Sequence, residues 1–445
     1  MRENERTNWR MLFCSVLQRT LFVHFVDVDR GLSVSVPYYN SRFSTNPMLR
    51  PISTIALNFT YAFSKSITPR PKSSYVICSQ KNRDGDGHDD GFYMRKSVEL
   101  ARKGLGYTSP NPLVGCVVVK HGQIVGQGFH PKPGQPHAEV FALRDAGDLA
   151  EDATVYVSLE PCNHFGRTPP CTVALIEARV KKVVIGMVDP NPIVASKGVD
   201  RLRGAGIEVV VGVEEELCKS LNEGYIHSML TGKPLLTLRY SLSVNGNLLD
   251  SLGKGVADSG GYYSKLLQEY DAVILSSSLF GKSLSVDSVP LSQEPGANQP
   301  IQIIMHKDSG SSNQMPLVIN DSKVIIFTDS RTAATPEEAQ QGIEIVYVDQ
   351  INLDVILDYC NRQGLCSVLL DMRGDFSEHE ELVKEGFKKK YINKFVTEIL
   401  PYWNGCNQND PLLPFKNLDQ GVKVESLRQM ASAQSVIIEG YLNFN

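Results

Sequence analysis

Two α/β units in tandem, preceded by a leader that does not read as a fold, are what the sequence predicts. Three observations carry this. Between residues 90 and 232, β-branched runs alternate with segments of helical period, the pattern of a three-layer α/β/α sandwich. From 233 to 445 short strands and helices alternate again at different spacings. Residues 1–85 show neither pattern.

The leader has no Asp or Glu between Gly31 and Arg83, while Ser, Thr, Lys and Arg are frequent, as in an organelle transit peptide. Val76-Ile77-Cys78 is similar to a plastid-type cleavage site, and Asp84-Gly85-Asp86-Gly87 reads as the start of an acidic linker. Glu3, Glu5, Asp27 and Asp29 do not suit such a peptide, and Met48 would be a more typical start.

In the first folded unit Met94, Val98 and Ala101 mark one stripe of a helix that Gly104 ends. Leu113–Lys120 and Gln123–Phe129 read as strands joined at His121-Gly122. A helix follows from His137 to Ala146, stopped by Gly147. Then come a strand at Ala153–Leu159, a helix at Thr172–Arg179 and a strand at Lys182–Val188. A helix at Lys197–Gly204 and a strand at Ile207–Gly212 complete the alternation. Leu217, Leu221, Tyr225, Ile226 and Met229 predict one long helix leading out. In the second unit the candidate strands are Leu235–Val244, Ala272–Leu275, Ile301–Met305, Val324–Thr328, Ser367–Leu370 and Val436–Leu442.

Composition narrows the function. A net charge of −4 over 445 residues gives no electrostatic case for nucleic acid or an anionic membrane. No apolar run is long enough to span a bilayer. Nine cysteines, an odd number spread over a long chain, suit a reducing compartment rather than a disulfide framework.

The chemistry gathers between His137 and Cys171, which reads P-H-A-E, then L-E-P-C, then G-R-T-P-P-C. One imidazole and two thiols are a catalytic zinc donor set that leaves a fourth position for water. His137, Cys162 and Cys171 are the expected ligands, and Glu139 the expected carrier of protons. His137 and Cys162 each follow a proline where a helix should start, and Cys171 opens the next helical run. Helix N-termini favour thiolate. A structural zinc site would close with four protein ligands, and a scaffold would have no use for Glu139.

The H-A-E-V and E-P-C-N-H-F-G-R-T-P-P-C segments, with N-P-L-V-G at 111–115 and D-P-N-P at 189–192, resemble the pyrimidine deaminase of riboflavin biosynthesis. That resemblance implies a cytidine-deaminase-like fold over 90–232, bound zinc, and a small phosphorylated pyrimidine as substrate. It implies no nucleic-acid or membrane partner, and leaves a homo-oligomer open. It also implies that Asn111, His130, His164 and Arg167 contact substrate, Arg167 at the phosphate; the plainer alternatives are a core histidine at His130 and a solvated charge at Arg167. The plant members imply a plastid (chloroplast stroma) location.

Residues 233–445 are similar in outline to the family's reductase domain, which implies a dihydrofolate-reductase-like α/β fold. The NADPH-binding motifs depart from the family pattern. R-Y-S-L-S-V-N-G at 239–246 puts Asn245 where an Asp is expected, and S-G-G-Y-Y-S-K at 259–265 replaces W-I-T-S. Glu294 stands for an Arg, and Asp371-Met372-Arg373-Gly374 for E-G-G. A degenerate domain without reductase turnover is the expectation, with a bifunctional deaminase-reductase as the alternative.

Overall fold

The computed structural model describes residues 88–165, 169–191, 195–280, 290–306, 323–329, 342–403, 421–432 and 434–444, with the backbone of 9–17, 20–27 and 32–38. The leader contains an antiparallel three-stranded sheet, β1 (Trp9–Leu17), β2 (Thr20–Asp27) and β3 (Leu32–Tyr38). No element was expected there, but β2 (T-L-F-V-H-F-V-D) is rich in β-branched and aromatic residues that favour strands. The remaining leader features, including Val76–Cys78, lie outside the described residues.

Chain order in the first unit is α1 (Asp90–Ala101), β4 (Gly115–Lys120), β5 (Gln123–Phe129), α2 (Ala138–Ala146), β6 (Thr154–Leu159), α3 (Cys171–Glu177), β7 (Lys182–Met187), α4 (Lys197–Gly204) and β8 (Glu208–Val211). The sheet order is β5-β4-β6-β7-β8, with β6, β7 and β8 parallel and β4 antiparallel to both its neighbours. Glycines set how closely the helices approach. A Cβ on Gly115 would collide with Ser97 and Ala101 of α1, and one on Gly128 with Ala138 and Ala142 of α2. Gly128 pairs with Cys116, the residue after Gly115. Since successive residues of a strand face opposite ways, α1 and α2 cover opposite faces. Three layers result, with Met94, Val98, Val117, Val157, Ile185 and Leu202 in the core.

The long exit helix expected over 217–229 is two helices, α5 (Glu215–Leu221) and α6 (Glu223–Thr231). The apolar spacing runs on across the break, so periodicity could not show it. Asn222 sits at the joint with φ −116° and ψ 24°. Its side-chain amide accepts from Leu113 N (2.8 Å) and donates to Leu113 O (3.0 Å). A tertiary bond, not local propensity, breaks the helix.

The second unit runs β9 (Leu235–Ser243), β10 (Leu248–Leu249), α7 (Tyr262–Gln268), β11 (Ala272–Leu275), β12 (Ile301–His306), β13 (Val324–Thr328), β14 (Ile343–Tyr347), α8 (Leu353–Arg362), β15 (Ser367–Asp371), α9 (Phe376–Lys388), β16 (Ile392–Leu400), β17 (Lys423–Ser432) and β18 (Ser435–Asn443). One mixed sheet has the order β14-β13-β12-β11-β15-β9-β16-β18-β17, with β10 paired to β9. Every neighbouring pair from β14 to β16 is parallel, and the β17–β18 hairpin closes the edge antiparallel. Ile274 of β11 packs with α8 and α9, while Val273 and Leu275 pack with Tyr263 and Leu267 of α7. The sheet is therefore covered on both faces.

Candidate active site

Helix α2 begins at its N-cap, His137, in extended conformation. The His137 Nδ1 atom lies 3.5 Å from Cys162 Sγ and 3.3 Å from Cys171 Sγ. These three donor atoms lie within 4.8 Å of one another, the one such group among the described residues. Tetrahedral bonds of about 2.0–2.1 Å to nitrogen and 2.3 Å to sulfur hold such atoms roughly 3.5 Å apart, so the donors are spaced for a zinc ion.

Cys171 is the first residue of α3, as expected. Cys162 is not at a helix start: it lies in the loop after β6. Nothing in that loop has helical period, and the preceding proline misled. The helix still reaches it, because Cys171 N–H of α3 donates to Cys162 Sγ at 3.3 Å. Hydrogen bonds from the Cys171 thiol and backbone, with His137 alongside, lower the Cys162 thiol, against the opposing effect of burial. Cys171, bonded to that sulfur and buried, is pushed the other way.

Glu139, in the first turn of α2, is 3 % exposed. Burial, reinforced by Cys162, raises its carboxyl to about 7. Its Oε2 has no hydrogen-bond partner among the described residues. A buried carboxylate oxygen left open in this way is costly unless water or a ligand meets it, which suits a proton carrier beside a metal.

His130 follows β5 and is buried. Its Nδ1 lies 3.2 Å from Pro136 O, an acceptor, so Nδ1 carries the proton and Nε2 is bare. Asn111 Nδ2 donates to that Nε2 at 3.0 Å. Burial lowers the His130 pKa, which keeps the ring neutral. The ring sits edge-on to His137, centroids 5.3 Å apart. His130 thus joins Asn111 to the residue before the metal-donor imidazole. Of the expected substrate contacts, the fold brings Asn111 and His130 together beside the donor cluster. His164 is exposed on the 161–165 loop, and Arg167 lies outside the described residues.

Glu160 was not singled out from the sequence. Its Oε1 accepts from the backbone N–H groups of Gly198 (2.8 Å) and Val199 (3.2 Å), and its Oε2 from Ser196 (3.0 Å) and Asp189 (3.2 Å). The buried carboxylate ties the Cys162 loop to the segment after β7 and to α4. All four donors lie far along the chain, so only its place in L-E-P-C hinted at a role.

In the second unit, Arg239 is fully buried. It donates to Glu398 (2.9 Å), Ser241 (2.7 Å) and Tyr262 (3.2 Å), and pairs with Asp371 at 3.4 Å. Asp371 also meets Arg373 (3.1 Å) and the Tyr263 hydroxyl (2.5 Å). Tyr262, Tyr263, Asp371 and Arg373 all fall in the stretches 259–265 and 371–374.

Residues 88–187 match the family model of the cytidine and deoxycytidylate deaminase zinc-binding region. The chain is 55% identical over 376 residues to the chloroplastic riboflavin biosynthesis protein PYRD of Arabidopsis thaliana, covering 83% of this chain and 87% of that one. It is 35% identical over 366 residues to the riboflavin biosynthesis protein RibD of Synechocystis, covering 79% and 96%. Among solved structures it is similar to the diaminohydroxyphosphoribosylaminopyrimidine deaminase/5-amino-6-(5-phosphoribosylamino)uracil reductase of Thermotoga maritima. There the TM-score is 0.65 at 29% identity, with 80% of this chain and 99% of that chain covered.

Proposed function

Because the chain belongs to the PYRD/RibD family of riboflavin-biosynthesis proteins, we propose that it is a zinc-dependent hydrolase that deaminates 2,5-diamino-6-ribosylamino-4(3H)-pyrimidinone 5′-phosphate. The products are 5-amino-6-ribosylaminouracil 5′-phosphate and ammonia. One observation carries the reading: His137, Cys162 and Cys171 converge at metal-binding spacing beside a buried Glu139 whose Oε2 is open.

His137, Cys162 and Cys171 would hold the ion. Zinc, when bound, lowers the pKa of a water molecule to near 7 and so supplies a nucleophile at neutral pH. Glu139, buried beside the donors with its Oε2 open, can take a proton and give it back. It delivers protons to the ring nitrogen and then to the departing amine. Asn111, held by His130, presents its amide oxygen to the ring edge. His164 and Arg167 contact substrate as well, Arg167 at the phosphate. The chloroplastic relative and the acid-free stretch from Gly31 to Arg83 support plastid targeting and a stromal site of action.

The C-terminal half is a reductase-like fold without turnover. What supports this is the closed ion network of Arg239, Asp371, Arg373 and Glu398, built partly from residues that replace the expected motifs. The experiment is ammonia release by the purified chain from the diaminopyrimidinone phosphate, compared with deoxycytidylate and followed by NADPH on the deaminated product. Selective release with no NADPH oxidation is expected. No release from the pyrimidinone phosphate would refute the deaminase reading, and NADPH oxidation would refute the reading of the second half.

A further inference from the structure

The loop Gly106–Asn111 belongs to the deaminase unit by sequence, yet the C-terminal half holds it. Asn298 Nδ2 donates to Gly106 O. The Tyr107 hydroxyl donates to Gly296 O at 2.9 Å. Ser109 Oγ donates to Asp271 Oδ1 at 2.6 Å. The Pro110 ring lies against Gly364, where a Cβ would come within 3.3 Å of it, and Gly364 has φ +77°.

Asp271 is a two-sided clamp. While Oδ1 takes the loop hydroxyl, Oδ2 accepts from the backbone N–H groups of Cys366 (2.7 Å) and Ser367 (3.1 Å) at the start of β15. Bonds to a carboxylate are short and strong, so the loop is fixed to the parallel sheet, not to a mobile surface. Two residues beyond Ser109 stands Asn111, its backbone N–H bonded to Thr108 O (2.7 Å) and its side chain to His130. Asn222 holds Leu113 from the other side.

We infer that the reductase-like half serves the deamination itself: Asp271, acting through Ser109, positions Asn111 against the pyrimidine ring. Ser109 and Asp271 are positioning residues and touch no substrate. This rests on the reading of Asn111 as a substrate contact. Adhesion between the halves has separate means, such as Lys394 with Glu223 at 2.9 Å, so the clamp is not needed merely to keep them together.

The test uses the full chain and steady-state ammonia release from the pyrimidinone phosphate, with zinc content and Tm measured in parallel. Ser109→Ala is expected to raise KM about tenfold with kcat changed less than about twofold, because it loosens a binding group and not the proton carrier. Zinc content and Tm stay near wild type, and Ser109→Thr restores KM. Asn298→Ala, at the other end of the loop, raises KM in the same direction by less, and serves if Ser109→Ala does not accumulate. Asn111→Ala is run beside them. If it raises KM while Ser109→Ala does not, the clamp is wrong and the substrate contact stands. If neither variant changes KM, the Asn111 reading fails and the inference with it. A Ser109→Ala effect on Tm alone, or on KM without one from Asn111→Ala, overturns the route through Asn111.

Discussion

His137 Nδ1 and Cys171 Sγ lie 3.3 Å apart although 34 residues separate them, and Cys162 completes the triangle. Their spacing predicts that metal removal is decisive. Stripping the protein with a chelator should abolish ammonia release and lower Tm, and stoichiometric zinc should restore both, since a ligand bound only to the native state stabilises it. Cys162→Ser and Cys171→Ser should each retain much less than one zinc per chain by metal analysis.

Glu160 gathers four backbone N–H groups around one carboxylate. Glu160→Ala should leave those donors unsatisfied and cost about 2–4 kcal/mol in denaturant unfolding, by the usual cost of losing bonds to a charged acceptor. Zinc affinity should fall too, because the Cys162 loop loses its anchor. Unchanged zinc affinity would restrict Glu160 to stability.

Arg239 offsets two fully buried carboxylates, Asp371 and Glu398. Burial alone would raise Asp371, but Arg373 and Arg239 outweigh it and hold the carboxyl below its usual range. Arg239→Met removes the shared cation and should destabilise the protein by about 3–5 kcal/mol, the cost of breaking a buried pair from one side. A shift in urea midpoint reads it directly.

Asp354 receives hydrogen bonds from Lys389 and Tyr391, which lower its carboxyl from the ordinary 3.8 to about 2. A depressed carboxyl contributes stability that is complete above the unfolded value and lost as pH falls through the folded one. The side chain is 34% exposed, so solvent screening reduces the contribution to about 0.5–1 kcal/mol. Asp354→Asn should show that deficit near pH 7, and the deficit should vanish as the medium is acidified from about 4 to 2.

Much of the deaminase unit was legible because its signals are local. The strand Gln123–Phe129 and the helix Lys197–Gly204 match their expected bounds, each marked by patterning and turn residues. His137 caps its helix as its motif suggests. What escaped depends on partners distant in sequence. Asn222 breaks a continuous apolar stripe because Leu113 claims its side chain. Glu160 draws its donors from 189–199. β17 is exposed along nearly its whole length and bears no one-sided alternation, so periodicity had nothing to detect.

The most direct test is the rate of ammonia release by zinc-loaded Glu139→Gln. The amide keeps the shape of the side chain but cannot carry the proton. The rate should fall at least about 10²-fold with one zinc still bound per chain. Near-wild-type release by the zinc-replete variant would contradict Glu139 as the proton carrier.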